Sequence, residues 1–463
     1  MRLDRYFGDR RFYRTALTVA LPIMIQNGIT NFVGMLDNIM VGRVGTVQMT
    51  GVSIANTLLF VFTLAIFGAV SGAGIFGAQF YGKGDMEGVC HAFRFKILEC
   101  AGILVLGVCV YLVFGRELIV LYLRGEGEQT HIEESLRYGL SYLRIMLLGL
   151  PAFAVAMCYA GTLRESGQTV PPMTAGLVAV GVNFVFNWLL IFGKLGLPAL
   201  GSDGAAIATV LSRYVEAAIV VIWAHRHPEK APYFRGAWRS LRMPRHLAGQ
   251  IARRGAPLIL NETLWALGQA LLLQCYSLRS FAVVSSVNIA STLGNVCNVA
   301  FMAMGASIGI LVGQLLGAGK TEEAKDTDRK LIVFTELTCL VFGGAMAAVS
   351  GAFPHIYNTE PDIRALASKF ILINAILMPI HAYANGAYFT LRSGGKTVVT
   401  FLFDSVFTCV VVAPTAYVLS RFTALPIVWL FFCCQSLELI KCFVGYGMIR
   451  SGVWIQNIVK EEY

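Results

Sequence analysis

Apolar residues fall into twelve long runs separated by short polar segments. The runs start near Tyr13, Val47, Val89, Leu136, Val170, Asp203, Gln250, Ala282, Lys330, Arg364, Thr397 and Leu425. A helix needs about 20 residues to cross the hydrocarbon core of a bilayer, and each run is long enough to do so. Barrel strands would be about ten residues of alternating polarity. These runs are longer and do not alternate. In lipid, backbone amides and carbonyls must be satisfied within the segment, so the runs are predicted to be helices. Twelve spans in 463 residues leave no room for a separate soluble domain.

Composition narrows the class further. Hydrophobic residues make up 56% of the chain and charged residues 14%. A soluble domain carries about 25% charged residues, so this chain has too few charges to cover its apolar surface in water. Mean hydropathy is +0.65. A disordered chain and a small disulfide scaffold are excluded for the same reason. The predicted class is an all-α polytopic membrane protein. The first basic run ends at Arg14 and leads into an apolar stretch reaching Val41. That stretch is too long for the core of a cleaved signal, so it is expected to be the first span of the mature protein.

Twelve spans put both termini on one side. Most Lys and Arg residues fall on that side. The connection from Arg226 to Arg254 alone carries eight. The positive-inside rule then expects both termini and this connection in the cytoplasm, in a cell (plasma) membrane. Net charge is +10, and it follows largely from this bias. Anionic lipid headgroups are the expected neighbour of the basic connection, and nucleic acid is not expected as a partner. The eleven cysteines are scattered through apolar segments with no CxxC pair, which suits small core residues. His381, the one histidine well inside a span, is read as a packed or hydrogen-bonded residue, with cavity lining as the alternative.

The chain contains an internal repeat. At an offset of 235, Pro22 matches Pro257, Gly74 matches Gly309, Gln79 matches Gln314, Gly82 matches Gly317 and Gly84 matches Gly319. At an offset of 228, Pro151 matches Pro379. Thr162-Leu163-Arg164 matches Thr390-Leu391-Arg392, Gly167 matches Gly395 and Thr169 matches Thr397. The paired glycines at 82, 84, 317 and 319 are expected to allow positive φ at helix ends. Gly305, Gly309, Gly313 and Gly317 recur every four residues, a spacing that lets helix backbones approach closely in lipid.

An even number of spans separates the copies, so both halves share one orientation. The prediction is two six-helix lobes related by a pseudo-two-fold axis along the membrane normal. The N-terminal lobe is 1–225, a cytoplasmic basic linker is 226–250, and the C-terminal lobe is 251–463. Parallel repeats of this kind are an architecture of secondary transporters, with substrate held between halves that rock.

Acids inside spans need a partner, a wet cavity or a proton, because an ionised side chain at mid-membrane costs about 2.5–3.5 kcal/mol on insertion scales. Glu216 follows Arg213 by three residues and Glu438 precedes Lys441 by three. Residues three apart share a helix face, so these acids are expected to be neutralised structurally. Glu99 and Glu336 stand at near-equivalent repeat positions. Asp37, Glu262 and Asp404 have no base within four residues. Asn261, Glu262 and Trp265 together offer an amide, a carboxylate and an aromatic face. That set suits an organic cation, and a packed Trp beside a hydrogen-bonded Glu is the alternative. Asp404 is a second candidate for the substrate cavity.

The stretch Asn183-Phe-Val-Phe-Asn187-Trp-Leu-Leu-Ile-Phe-Gly193, then Leu197-Pro198-Ala-Leu-Gly201 and Gly204-Ala-Ala-Ile-Ala-Thr209, resembles the fifth and sixth helices of multidrug and toxic compound extrusion (MATE) transporters. Leu21-Pro22, Asp37-Asn-Ile-Met-Val-Gly-Arg-Val-Gly45 and Arg164-Glu-Ser-Gly-Gln-Thr169 agree, so the resemblance runs nearly end to end. It implies a V-shaped cavity between two lobes. It also implies export of organic cations or amphipathic compounds in exchange for inward protons or sodium, with no cofactor beyond that ion.

The resemblance implies that Asp37 takes the coupling cation and that Asn183, Asn187 and Thr209 join its network. Many proton-coupled members carry an acid where Asn187 stands, so the choice between proton and sodium stays open. Several members also carry acids on the seventh and tenth helices. Here Glu262 follows Pro257 by five residues and the tenth span has no acid, which leaves Asp404 as the candidate substitute. Pro22 lacks one backbone hydrogen bond and is the expected hinge of the first span. A monomer is expected.

Three other functions are weighed against this reading. A lipid-linked precursor or polysaccharide flippase of similar architecture would need several bases in its cavity, and the span interiors hold mainly Arg213 and Lys441. A membrane-embedded enzyme would need a clustered dyad, and HExxH and P-loop motifs are absent. A passive channel would need charged rings or filter sequences.

Overall fold

The computed structural model describes residues 5–42, 46–123, 129–357 and 359–460. The side chains of 33–39, 41, 42, 46, 129, 130 and 281 lie outside that description. Among the described residues every regular element is helical. The helices are α1 (Arg10–Gly42), α2 (Thr46–Lys83), α3 (Met86–Leu123), α4 (Gln129–Leu147), α5 (Leu150–Glu165), α6 (Val170–Phe192) and α7 (Ser202–Arg226). They continue as α8 (Arg245–Ser277), α9 (Phe281–Gly317), α10 (Thr321–Val349), α11 (Pro361–Ser393), α12 (Thr397–Phe401), α13 (Ala413–Phe422), α14 (Ile427–Ser436) and α15 (Glu438–Ser451). Between α12 and α13 the helix does not end. It widens into two π-helical stretches, Leu402–Val406 and Thr408–Val412.

Among the described residues, ten helices are long and apolar enough to cross a membrane. α4 and α5 together supply an eleventh, bent by 47°. The bend has a local cause. Leu148 and Gly149 bond back only three residues, to the carbonyls of Ile145 and Met146. Pro151 in the first turn of α5 has no amide with which to continue the ladder. Twelve spans were expected. The one outside this set is α1, part of whose side chains lie outside the described residues. The chain is a multi-pass helical membrane protein.

The chain packs as two compact units. The first comprises Met1–Met24, Ala78–Asp85 and Ala252–Tyr463; the second comprises Ile25–Gly77 and Met86–Ile251. This division differs from the sequence lobes 1–225 and 251–463. α1 passes from one unit to the other two residues after Pro22, and the end of α2 belongs with the first unit. The segment 226–250, expected as a linker, lies within the second unit.

In the first unit α11 packs along α9 and α10. The glycine stripe on α9 explains how closely. A Cβ on Gly305 would run into Asn385 and Phe389 of α11, and one on Gly313 would press on Ala78. At the helix ends Gly82 abuts the Gln314 carbonyl and Gly317 abuts the Gln79 carbonyl. These two glycines were expected to supply positive φ, but their role is close approach. The positive φ falls on their neighbours Gly84 (81°) and Gly319 (74°). Residues after α15 fold back onto this end. The Gln79 side chain donates to the carbonyls of Ser393 and Gln456 and accepts from the Ile458 amide, while Asn457 donates to the Gly317 carbonyl.

In the second unit α6 pairs with α7, and α3 and α5 pack together. The segment 226–250 docks onto this frame. Phe234 and Trp238 meet Phe93 edge-on, and Phe234 stacks on Tyr159. The Arg94 guanidinium donates to the carbonyls of Gly236, Ala237 and Arg242. A cavity of about 440 Å³ beside it is lined by His225, Phe234, Arg235, Trp238 and Arg239, among others, and by none of the candidate site residues.

Candidate functional site

Two polar clusters are buried in helical, apolar surroundings, one in each unit. In the second unit, Asn183 and Asn187 lie four apart on one face of α6, and both are buried. Asn187 Nδ2 donates to Asn183 Oδ1 at 3.0 Å, and Asn183 Nδ2 donates to Thr209 Oγ1 on α7 at 3.3 Å. Thr209 Oγ1 donates to its own helix at the Ala205 carbonyl, 3.0 Å away. The approach of α7 to α6 depends on Gly204, where a Cβ would collide with the Leu190 carbonyl. Burying an amide without a partner costs several kcal/mol in an apolar medium, so a relay of this kind is what holds two asparagines there. Asp37 lies in the backbone of α1, but its side chain lies outside the described residues.

The first unit holds the other cluster. Asn261 on α8 donates from Nδ2 to Asp404 Oδ2 at 3.2 Å and to the Tyr388 hydroxyl at 3.4 Å. Ser405 Oγ donates to Asn261 Oδ1 at 2.7 Å and to its carbonyl at 2.6 Å. Asp404 and Ser405 both sit in the first π-helical stretch. An extra residue per turn there re-aims successive side chains, so both reach α8. Arg392 on α11 lies over the rings of Tyr388 and Phe389, at 5.8 and 5.4 Å from their centres.

The Glu438–Lys441 pair forms as its spacing predicts, with Lys441 Nζ 2.9 Å from Glu438 Oε1. Asp404 has no base near it in sequence, but the same Lys441 Nζ on α15 lies 3.2 Å from its Oδ1 and bridges both acids. Sequence spacing finds only partners on the same helix, and the Asp404 partner comes from another helix. The Arg213–Glu216 pair forms as its spacing predicts, at 3.7 Å.

Glu262 lies within electrostatic reach of Arg392 and Asp404, and His381 within reach of Glu438 and Lys441. Trp265, one turn along α8, is 39% exposed and takes no part in the hydrogen bonds of the cluster. Glu99 Oε2 and Glu336 Oε1 are buried with no hydrogen-bond partner among the described residues.

Sequence reasoning missed further buried charges, Lys96 and Asp328 among them. Lys96 on α3 is fully buried and bonds both carboxylate oxygens of Glu165 and the Thr162 hydroxyl. Asp328 on α10 is equally buried and accepts a hydrogen bond from Thr390. Thr162 and Thr390 are repeat partners, and each donates back to its own helix, at the carbonyls of Cys158 and Gly386. The repeat itself was the signal: a matched polar residue in each half marks a position where a buried charge is held.

A family model described as MatE matches this chain twice, over residues 22–189 and 257–418. The probable multidrug resistance protein NorM of Pasteurella multocida (strain Pm70) is 27% identical over 417 residues, covering 88% of this chain and 86% of that protein. The multidrug resistance protein MdtK of Cronobacter sakazakii (strain ATCC BAA-894) is 26% identical over 390 residues, covering 81% and 79%. Among solved structures, a multidrug resistance MATE family transporter of the MOP superfamily in an outward-facing conformation superposes with a TM-score of 0.86. It is 17% identical and covers 97% of each chain. A MATE structure in the straight conformation gives 0.84 at 18% identity, covering 97% and 98%. At these identities the structural likeness establishes the fold.

Proposed function

This chain belongs to the MatE family, and from that premise we propose that it is a secondary active efflux transporter. It exports organic cations or amphipathic drugs in exchange for inward protons or sodium, by alternating access. The observation that carries this reading is the double family match, once in each half of one chain. The relatives named above as multidrug resistance proteins span most of the same length.

In this reading the twelve spans form two six-helix lobes, with α1 as the twelfth. Local likeness between the halves supports it. Pro22 and Pro257 both lie inside helices, α1 and α8. Gly167 and Gly395 both take positive φ, at 79° and 74°. Asp37, with the Asn183–Asn187–Thr209 relay, takes the coupling cation. Asn261, Glu262, Trp265 and Asp404 belong to the substrate cavity. Pro22 is the hinge, because the helix runs through it short of one backbone bond. Coupling requires that cation and substrate differ in affinity for the two conformations. The flippase reading asks for bases open to phosphate, whereas Lys96 and Lys441 are each matched by carboxylates.

The test is reconstitution in liposomes with a proton or a sodium gradient imposed separately, while a fluorescent organic cation is followed. Gradient-driven movement of the dye is expected. No movement under either gradient overturns the proposal.

A further inference from the structure

We propose that Lys441 is a tethered cation: its ammonium fills the acidic cluster formed by Asp404 and Glu438 and closes it to free sodium. The inference deepens the reading of the chain as a cation-coupled exporter, and rests on it for its consequence, that ion coupling falls to the other cluster. An ammonium has three N–H donors. Here two directions meet carboxylates, Asp404 Oδ1 at 3.2 Å and Glu438 Oε1 at 2.9 Å. The Phe407 ring, with its centre 5.4 Å from Nζ, adds a negative π-face. The Lys441 side chain is 6% exposed.

Two neighbouring oxygens that could serve a metal ion are also committed. Asp404 Oδ2 takes the Asn261 amide, and Asn261 Oδ1 takes the Ser405 hydroxyl. A sodium ion entering between the two acids would meet a like charge at contact distance and would have to displace a lysine held by both.

Sodium-dependent stability of the purified full-length protein tests this without any gradient. All variants carry Asp37→Asn to remove the other candidate cation acid. Melting is followed in sodium chloride and in choline chloride at equal ionic strength. With Lys441 present, adding Asp404→Asn is expected to leave the sodium-specific shift unchanged. Lys441→Gln is expected to create a sodium-specific rise in melting temperature that Asp404→Asn abolishes, and Lys441→Arg is expected to create none. A sodium-specific shift with Lys441 present that disappears on Asp404→Asn overturns the proposal. So does a folded Lys441→Gln variant that ignores sodium. If Lys441→Gln fails to fold in both salts, the Asp404→Asn comparison with Lys441 present decides alone. A protein that moves no dye in liposomes would refute the transport reading and leave this binding result standing.

Discussion

Lys96 Nζ lies 2.6 Å from both carboxylate oxygens of Glu165, with the lysine side chain fully buried. The pair joins α3 to the end of α5 and is completed by the Thr162 hydroxyl at 2.9 Å. Room for it comes from α2 and α5. A Cβ on Gly74 or Gly77 would collide with the Glu165 carboxylate, and one on Gly161 with Val70 beside it.

Breaking this pair from one side strands a buried charge, at a cost of about 3–5 kcal/mol. Lys96→Met and Glu165→Gln should each lower the melting temperature of the detergent-purified protein. The double variant should lose less than the sum of the two, because it leaves no uncompensated charge. Strict additivity in a double-mutant cycle would show that the two groups do not act as a pair.

Gly317 and Gly319 stand two residues apart and resist substitution for different reasons. Gly319→Ala meets open space and pays only for its left-handed backbone, about 1–2 kcal/mol. Gly317→Ala drives a methyl into the Gln79 backbone carbonyl, which no rotamer change can relieve. Gly317→Ala should therefore be the more damaging change, read as yield of folded protein and melting temperature. The reverse order would contradict the close approach.

Gln79 fastens the chain after α15 through bonds to Gln456 and Ile458, and ties it to the end of α11 through Ser393. Gln79→Ala leaves the partners of a buried amide unsatisfied, at about 1–3 kcal/mol. Hydrogen exchange of the Ile458 amide should speed up on this change, while amides in the centre of α6 keep their protection. Unchanged exchange at Ile458 would show that the tail is held by other contacts.

The relay on α6 and α7 should be needed for transport rather than for insertion. Asn187→Ala and Asn183→Ala should reduce gradient-driven dye export at least tenfold, and Asp37→Asn should abolish it, with membrane insertion intact in all three. Wild-type export from the Asp37→Asn protein would remove Asp37 from the mechanism.

The family fold was legible in the sequence because two periodic signals are local. Apolar run length reports where a helix can cross lipid, and the repeat from Pro22 to Thr169 and from Pro257 to Thr397 reports that one unit occurs twice. Ion pairs within one helix turn, such as Arg213–Glu216, were equally readable, since three residues of spacing fix the geometry.

Only tertiary packing decided the rest. Lys441 reaches Asp404 from another helix, Lys96 reaches Glu165 across 69 positions, and the π-helical stretches turn Asp404 and Ser405 toward Asn261. Spacing along the chain carries no information about such neighbours. An unpaired buried charge is costly, and in these pairs it is another helix that brings the counterpart within hydrogen-bond distance.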